Sequence, residues 1–489
     1  MCKDLTTFLK LPVEAMKKEE LLQYIREQVP DADFELLERA YDFAETAHAG
    51  QMRKSGAPYF DHPKATAYKL ATFRMDDQTI AAGLLHDVPE DTEYTLKDVK
   101  KEFGSEVAFL VEGVTKLGKL KYRGIQRYVE NLRRMFVAMA QDIRVIVIKF
   151  ADRMHNLETL SALPPEKQRR IALESLEIYA PIANRLGMGD VRGQLEDLSF
   201  PYVYSDEYTW LMKKIEVERR QKAKIVDKLQ ASVEKTLDEH HIPYVSVHGR
   251  AKHLYSLYKK LLRHNRDMNK IYDLVALRVL VPDVSRCYET LGIVHKICPP
   301  LKGRIKDYIA QPKPNGYRSL HTTVFTPEGE IAEIQIRTPE MHEEAEYGIA
   351  AHWHYKEMDH VKIPKEKLGW IDQLSKLQKE IRDEEQYLES LKIDLFQTRI
   401  FVFTPRGDVI DLPEDATPID FAYHIHTDIG HKCIGAKVND QMVALDIKLK
   451  SGDVVEILVD KNRKGPNPDW LEMVKTNSAK RHIMQKLNR

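Results

Sequence analysis

The periodicity of apolar residues changes once along this chain, and that change decides how many cores it must build. Phe34, Leu37, Ala40, Phe43, Ala44 and Ala47 recur at the spacing of one helical face. Similar patterns run through His62–Phe73, Gln78–Val88, Ser105–Leu117, Val129–Met139 and Arg144–Leu160, and strand signals are scarce before residue 200. A polar helical stretch, Ser205–Glu239, follows. Beyond it, β-branched runs at Tyr244–Val247, Leu274–Val281, Leu320–Thr326 and Ile331–Ile336 predict strands, with helix-like Lys252–Arg263 and Ser285–Lys296 between them. Pro327, Glu328, Gly329 and Glu330 predict a hairpin turn between the last two strands. The charged stretch Lys365–Lys392 reads as an exposed helix or linker. Short strands such as Arg399–Phe403 and Val454–Val459 then define a small β-rich part, with turns at Pro405–Gly407 and Ser451–Asp453. The class is multidomain, α and α+β, and 489 residues are too many for a single core.

Lys+Arg and Asp+Glu both total 75, so the formal charge is zero and a grossly basic nucleic-acid coat is excluded. Cys2, Cys287, Cys298 and Cys433 are scattered without a CxxC pair, which suits neither a disulfide framework nor a zinc site and fits a reducing cytoplasm. No apolar run approaches the roughly 18 residues of a membrane span, and no basic-then-apolar leader is visible, so no membrane partner is expected.

Chemistry concentrates first at Leu84-Leu85-His86-Asp87-Val88-Pro89-Glu90-Asp91-Thr92. Neighbouring His and Asp can give one ion an imidazole and a carboxylate. With His62 upstream and Asp152 downstream they make a nitrogen/oxygen set suited to Mn, Fe or Zn, among which spacing does not choose. A bound divalent ion lowers the pKa of its water. Glu90 and Asp91 follow one helical turn on, positioned to orient that water without ligating. Pro89 predicts that the helix kinks or ends there. For a lone His-Asp pair, a packed core histidine beside a helix-end carboxylate would be the simpler reading; the two further elements outweigh it.

These words resemble the HD phosphohydrolase superfamily. His48-Ala49-Gly50-Gln51-Met52-Arg53-Lys54-Ser55-Gly56-Ala57-Pro58-Tyr59 is similar specifically to its alarmone-hydrolase branch, the Rel/SpoT family. The resemblance implies that His62, His86, Asp87 and Asp152 hold Mn²⁺ and that Glu90 and Asp91 serve the water. It also implies that Arg53, Lys54, Ser55, Asn156 and Thr159 line a guanosine nucleotide pocket. The family usually carries Val at the position of Pro89.

In the middle part, Ala332, Ile334 and Ile336 alternate with Glu333, Gln335 and Arg337, so one strand face is apolar and the other is a polar cleft. His321 and Thr323 share a face of the partner strand, and Asn315-Gly316-Tyr317-Arg318 is a turn bearing an exposed aromatic. Asp273 opens the strand that contains Arg278, a natural position for holding Mg²⁺. Gly249-Arg250-Ala251-Lys252-His253 supplies two cations between a strand and a helix, where triphosphate oxygens can be met. No GxxxxGK[ST] word is present. An ordinary charged surface strand is the competing reading for Glu333, Gln335 and Arg337 alone.

Gly249–Ser256, Tyr272–Arg278, Arg304–Ala310, Asn315–Thr322 and Glu333–Thr338 together resemble the synthetase domain of the same family, which has a nucleotidyltransferase-like fold. That likeness implies transfer of pyrophosphate from ATP to the 3′-hydroxyl of GDP or GTP. Asp273 and Glu333 would bind Mg²⁺, with Glu333 activating the hydroxyl. Arg250, Lys252 and Arg278 would take ATP, Tyr317 would stack on guanine, and Ser256, Lys306, His321, Gln335 and Arg337 would complete the nucleotide site. Arg304-Ile305-Lys306-Asp307 is the basic form of a family motif that accompanies chains able to hydrolyse as well.

Thr398–Asp460 resembles a TGS domain through Phe421–Thr427 and Gly430–Ala436. By that likeness His424, His426 and Lys432 contact uncharged tRNA on the ribosome, against a competing reading in which they pack or cap locally. Long members continue with helical, zinc-binding and ACT-like parts, whereas this sequence stops at Arg489.

The implied division is 1–197 hydrolase, 198–360 synthetase, 361–396 linker, 397–461 TGS and 462–489 the start of a further region. The whole reads as a bifunctional (p)ppGpp synthetase/hydrolase. The alternatives are a member with one crippled site and a non-catalytic tRNA- or ribosome-binding regulator. Opposed reactions on one chain further suggest that each domain restrains the other through Glu174–Tyr208.

Overall fold

Asp33 caps α2 (Phe34–Ala47) by accepting from Leu36 N, and Asp76 caps α4 (Asp77–Leu85) by accepting from Thr79 N. Such starts, followed by apolar faces, build the helical first part of a computed structural model. It describes residues 16–118, 124–250, 252–271, 274, 276–313, 315–353, 399–406, 408–450, 452–463 and 465–487. Asp273 and the Lys365–Lys392 stretch, with the linker 361–396, lie outside the described residues. The chain divides into two units, Met1–Lys376 and Leu377–Arg489.

In the first unit, α1 (Lys18–Gln28), α3 (Asp61–Thr72), α5 (Val88–Asp91), α6 (Leu96–Gly118), α7 (Gly124–Gln141) and α8 (Arg144–Glu158) complete a bundle with α2 and α4. α3, α4 and α8 occupy its middle, and most of their residues are buried on every side. His62, His86 and Asp152 therefore sit among apolar neighbours, where unpaired polar groups are costly. Pro89 acts as expected: α4 stops at Leu85, and α5 restarts with the proline in its first turn.

α9 (Pro165–Glu174), α10 (Ala180–Arg185) and α11 (Gly189–Val203) lead onward, and the proposed break at 197/198 falls inside α11. α11 packs against α8, α13 (Leu254–Arg263) and α15 (Pro339–Tyr347). α12 (Ser205–Glu239) follows the predicted polar helix, and α14 is Val284–Ile297.

The sheet order is β1-β2-β5-β4-β3, with β1 Ser246–Gly249, β2 Ala276–Leu280, β3 Pro300–Asp307, β4 Leu320–Phe325 and β5 Ile331–Arg337. Within this sheet β2 and β5 pair in parallel and the other described pairs are antiparallel. The predicted hairpin joins β4 to β5. Leu277, Val279, Leu320, Val324, Ala332, Ile334 and Ile336 cover one face with Leu229, Val233 and Leu237 of α12 and Cys287 and Val294 of α14. The strand β3 has no alternating apolar signal, since Lys302, Gly303, Arg304 and Lys306 interrupt it.

Gly193 of α11 lies where His253 approaches closest: a Cβ built there would stand 2.2 Å from the imidazole. His253 Nδ1 donates to Asp197 Oδ2 at 2.9 Å. Gly193→Ala must push the ring off that carboxylate, so urea unfolding should show a loss of about 1–3 kcal/mol.

The second unit pairs β6 (Arg399–Phe403) with β7 (Val409–Pro413) and orders β10 (Val455–Val459), β8 (Cys433–Val438) and β9 (Gln441–Val443) as a second sheet. Thr417 and Asp420 form a capping box on α16 (Pro418–Ile425), which leads into α17 (Thr427–Lys432). The fully buried Asp420 also accepts from Lys475 N and Thr476 N, tying the residues after the domain to it. Cys287, Cys298 and Cys433 are free and buried. No helix among the described residues is long and apolar enough to cross a membrane.

Candidate active sites

The first site lies among α3, α4, α5 and α8. His62 Nε2 stands 3.2 Å from Asp152 Oδ1 and 3.5 Å from Asp87 Oδ2, and His86 Nε2 stands 3.2 Å from Asp87 Oδ1. His62, His86 and Asp87 offer ligand atoms all within 4.8 Å of one another. The tautomers follow from the partners. His86 Nδ1 faces the Gly83 carbonyl at 2.8 Å, so it carries the proton. Arg53 Nη1 can only donate to His155 Nδ1, at 2.9 Å, so His62 Nδ1 must be the donor in its 2.8 Å contact with that same atom. Burial holds His62 below the usual imidazole range, despite Asp152 and Asp87, and pushes His155 down to about 2. Two bare imidazole nitrogens and the Asp87 carboxylate therefore converge without a proton between them, while Asp152, outside that close group, reaches it through His62. That donor set fits a divalent cation.

Burial would raise both carboxylates, but the neighbouring imidazoles and the Lys149 ammonium prevail. His86, His62 and Lys149 hold Asp87 low, and Lys149 and His62 hold Asp152 well below the carboxylate range. Lys149 Nζ meets Asp152 Oδ2 at 2.5 Å. The Tyr59 hydroxyl lies between Asp91 Oδ2 at 2.6 Å and Asp87 Oδ2 at 3.0 Å, which sets Asp91 beside Asp87 at the rim of the cluster. Glu90 is half-buried on the same short helix.

Of the nucleotide residues, Arg53 Nη2 donates to Asn156 Oδ1 at 2.9 Å, and Asn156 Nδ2 donates onward to Asp152. Thr159 Oγ1 donates to the His155 carbonyl at 3.1 Å, while Lys54 and Ser55 are exposed. Tyr59, Lys149 and His155 escaped the sequence reading, although Tyr59 ends a quoted word and the other two flank Asp152.

The second site covers the polar face of the five-stranded sheet. Strand register sets His248, Arg278, Gln335, His321 and Lys306 in one row across all five strands, with Glu333 and Thr323 paired in the next row. Tyr317 Oη donates to His321 Nε2 at 2.7 Å, His321 Nδ1 faces Glu333 Oε1 at 3.4 Å, and Gln335 Nε2 donates to the same oxygen at 2.6 Å. Burial would raise Glu333, yet His321, Gln335 and Arg250 push it down to about 2, so it is an anion ready for a divalent ion. Tyr317 is half-buried rather than exposed: the phenol is held by His321 and its ring lies edge-on to Tyr308, with Lys313 Nζ 4.7 Å from its centre.

Arg278 and Arg337 are buried beside Glu346 and His342 of α15, neither of which had a local sequence signal. Ser256 Oγ donates to Glu196 Oε2 of α11 at 3.2 Å, so in this state it faces the connecting helix. Arg250 follows β1, its amide donating to Ala276 O at 2.8 Å, and Lys252 precedes α13. In the second unit His424 and His426 are exposed and Lys432 half-buried; His426 Nδ1 accepts from Asp428 N at 3.2 Å, a local cap.

Three stretches match known families: an HD domain over residues 40–189, a region found in RelA / SpoT proteins over 249–360, and a TGS domain over 400–459. The fold is thus that of a multidomain protein with a helical HD part and a mixed-sheet part. The chain is 45% identical over 472 residues to the bifunctional (p)ppGpp synthase/hydrolase SpoT of Escherichia coli, covering 96% of this chain and 67% of that protein. It is 47% identical over 460 residues to a GTP pyrophosphokinase of Myxococcus xanthus, covering 93% of this chain and 60% of that protein. It is also similar to the crystal structure of small alarmone synthetase 1 from Bacillus subtilis, at 27% identity and a TM-score of 0.25, over 35% of this chain and 98% of that one. The chain belongs to the RelA/SpoT family. It spans about 60% of the length of the curated relatives it matches.

Proposed function

We propose that this chain both makes and breaks guanosine tetra- and pentaphosphate, as a bifunctional enzyme of the stringent response. What carries the reading is the pair of buried acid–base clusters, one in the helical bundle and one on the sheet, each assembled from residues that the family resemblance assigns. We take residues 1–197 as the hydrolase, 198–360 as the synthetase, 397–461 as the TGS domain and 462–489 as the start of a further region, in a cytoplasmic protein.

In synthesis, the 3′-hydroxyl oxygen of GDP or GTP bonds to the β-phosphorus of ATP, the bond from that phosphorus to the α-phosphate oxygen breaks, and AMP leaves. Tyr317 stacks on guanine, while His321 and Gln335 fix Glu333, which orients the hydroxyl. Arg250, Lys252 and Arg278 take ATP; Ser256 belongs to the nucleotide site, and Lys306 and Arg337 add positive charge to the same face. Asp273 and Glu333 would hold Mg²⁺, which supplies charge neutralisation when bound. In hydrolysis, the water oxygen bonds to the 3′-linked phosphorus, the bond from that phosphorus to the 3′-oxygen breaks, and pyrophosphate departs from GDP or GTP, whose 3′-oxygen takes up a proton. His62, His86, Asp87 and Asp152 would hold the divalent ion, Mn²⁺ by resemblance, whose bound form supplies Lewis acidity. Glu90 and Asp91 receive the water's proton, with Tyr59 orienting Asp91. Arg53 and Asn156 hold the nucleotide, with Lys54, Ser55 and Thr159 at its rim.

Contact of α11 with both α8 and α15 supports mutual restraint through Glu174–Tyr208. His424, His426 and Lys432 are proposed to meet uncharged tRNA on the ribosome.

Incubation with ATP, GDP and Mg²⁺, then with the tetraphosphate and Mn²⁺, should yield tetraphosphate first and GDP with pyrophosphate second, read by chromatography. Absence of either product removes that half of the proposal. Treatment with a chelator should stop hydrolysis, and Mn²⁺ should restore it; a rate indifferent to chelation would contradict the metal assignment.

A further inference from the structure

We infer that Glu346 is a positioning residue for pyrophosphate transfer, holding Arg278 and Arg337 in the orientation in which they meet the phosphates; the inference rests on the synthetase reading above. One carboxylate oxygen serves both cations: Glu346 Oε1 accepts from Arg337 Nη2 at 2.8 Å and pairs with Arg278 Nη2 at 3.0 Å. One turn earlier on α15, His342 Nδ1 accepts from Arg337 Nη2 at 2.6 Å and lies 3.5 Å from Arg278 Nη1. Burial and the two arginines push His342 down to about 3, so it is a neutral acceptor.

The arrangement is needed because of where the arginines are. They come from adjacent parallel strands, two residues out of register, and are 9% and 1% exposed. Their Nε atoms find no hydrogen-bond partner among the described residues. Burial and then Arg337 bring Arg278 down to about 10. Two buried like charges repel, and without an anion between them each would turn away toward water. Glu346 touches neither Tyr317 nor Glu333 in any described contact; besides the two arginines it lies 3.7 Å from His342 Nδ1, and its effect on the reacting atoms runs through the arginines.

The position of α15 makes the clamp firm. Its neighbouring carboxylates are used elsewhere: Glu343 pairs with Arg74 at the end of α3, and Glu344 Oε2 accepts from Arg318 Nη2 at 2.9 Å beside Tyr317. Thr338 caps the helix by accepting from Met341 N at 3.2 Å. Three acids on one capped helix thus hold three separate parts of the first unit, and Glu346 is the one that reaches the sheet face.

The test uses the whole chain and measures both reactions in the same preparation. Glu346→Gln keeps the shape and removes the charge. It should lower kcat of transfer about 10²-fold, the order expected from a misplacement near 1 Å, while KM for ATP stays within about threefold. Hydrolysis of the tetraphosphate should be unchanged, and Glu346→Asp should recover part of the lost kcat. Wild-type kcat in Glu346→Gln overturns the inference, as does a loss confined to KM or a parallel fall of hydrolysis and melting temperature. If the unaltered protein transfers no pyrophosphate, the synthetase reading itself fails and takes this inference with it.

Discussion

Asp87→Ala should reduce hydrolysis of the tetraphosphate by about 10³-fold or more and leave its synthesis within about twofold. Asp87 faces both imidazoles, with Oδ1 3.2 Å from His86 Nε2 and Oδ2 3.5 Å from His62 Nε2. Removing it takes away one carboxylate of the cation site and also the second acceptor of Tyr59. The remaining His62, His86 and Asp152 would bind a divalent ion weakly and in altered geometry. Steady-state rates for both reactions, with bound metal counted in the same samples, check this. A variant that keeps its hydrolytic rate would contradict the assignment. No loss of fold is expected, because Asp87 sits at the break between α4 and α5 and caps neither with its side chain.

Glu333→Gln should abolish synthesis to a comparable extent, about 10³-fold, while hydrolysis persists. The substitution conserves size but replaces an anion that His321 and Gln335 hold from two sides. The pH dependence has a definite sign. Burial opposes the charge, but His321, Gln335 and Arg250 bring the folded pKa to about 2. The contribution of this carboxylate to stability is therefore present above the ordinary Glu range and is lost as pH falls toward 2. Protonation of Glu333 should consequently not appear as a limb in the pH profile of synthesis between pH 5 and 8. Rate profiles of the wild type over that range, set beside the variant, provide the check.

Strand alternation made the second site legible: Ala332, Ile334 and Ile336 enter the core, and Glu333, Gln335 and Arg337 take the opposite face, as period two requires. The helical bundle was legible for the same reason, down to the interruption at Pro89. β3 was missed because an edge strand carrying Lys302, Arg304 and Lys306 has no apolar face to advertise. Lys149, His155 and Tyr59 were missed because each acts through a partner, Asp152, His62 or Asp91, that only the packing of separate helices brings near. Glu346 was hidden more deeply, being one of several acids on α15 with nothing in the local sequence to mark which one reaches the arginines.

α12 lends Leu211 and Ile215 to a cluster with Phe200, Leu257 and Leu261, and Leu229, Val233 and Leu237 to the packing beneath the sheet. A rod shared in this way couples the loss of one cluster to the loss of the other. Unfolding that begins under the sheet strips the far end of the same helix of its support, so the two neighbourhoods behave as one cooperative element of the energy landscape. Severing the chain within that rod would leave each fragment with an orphaned apolar stripe, and each stripe would invite self-association.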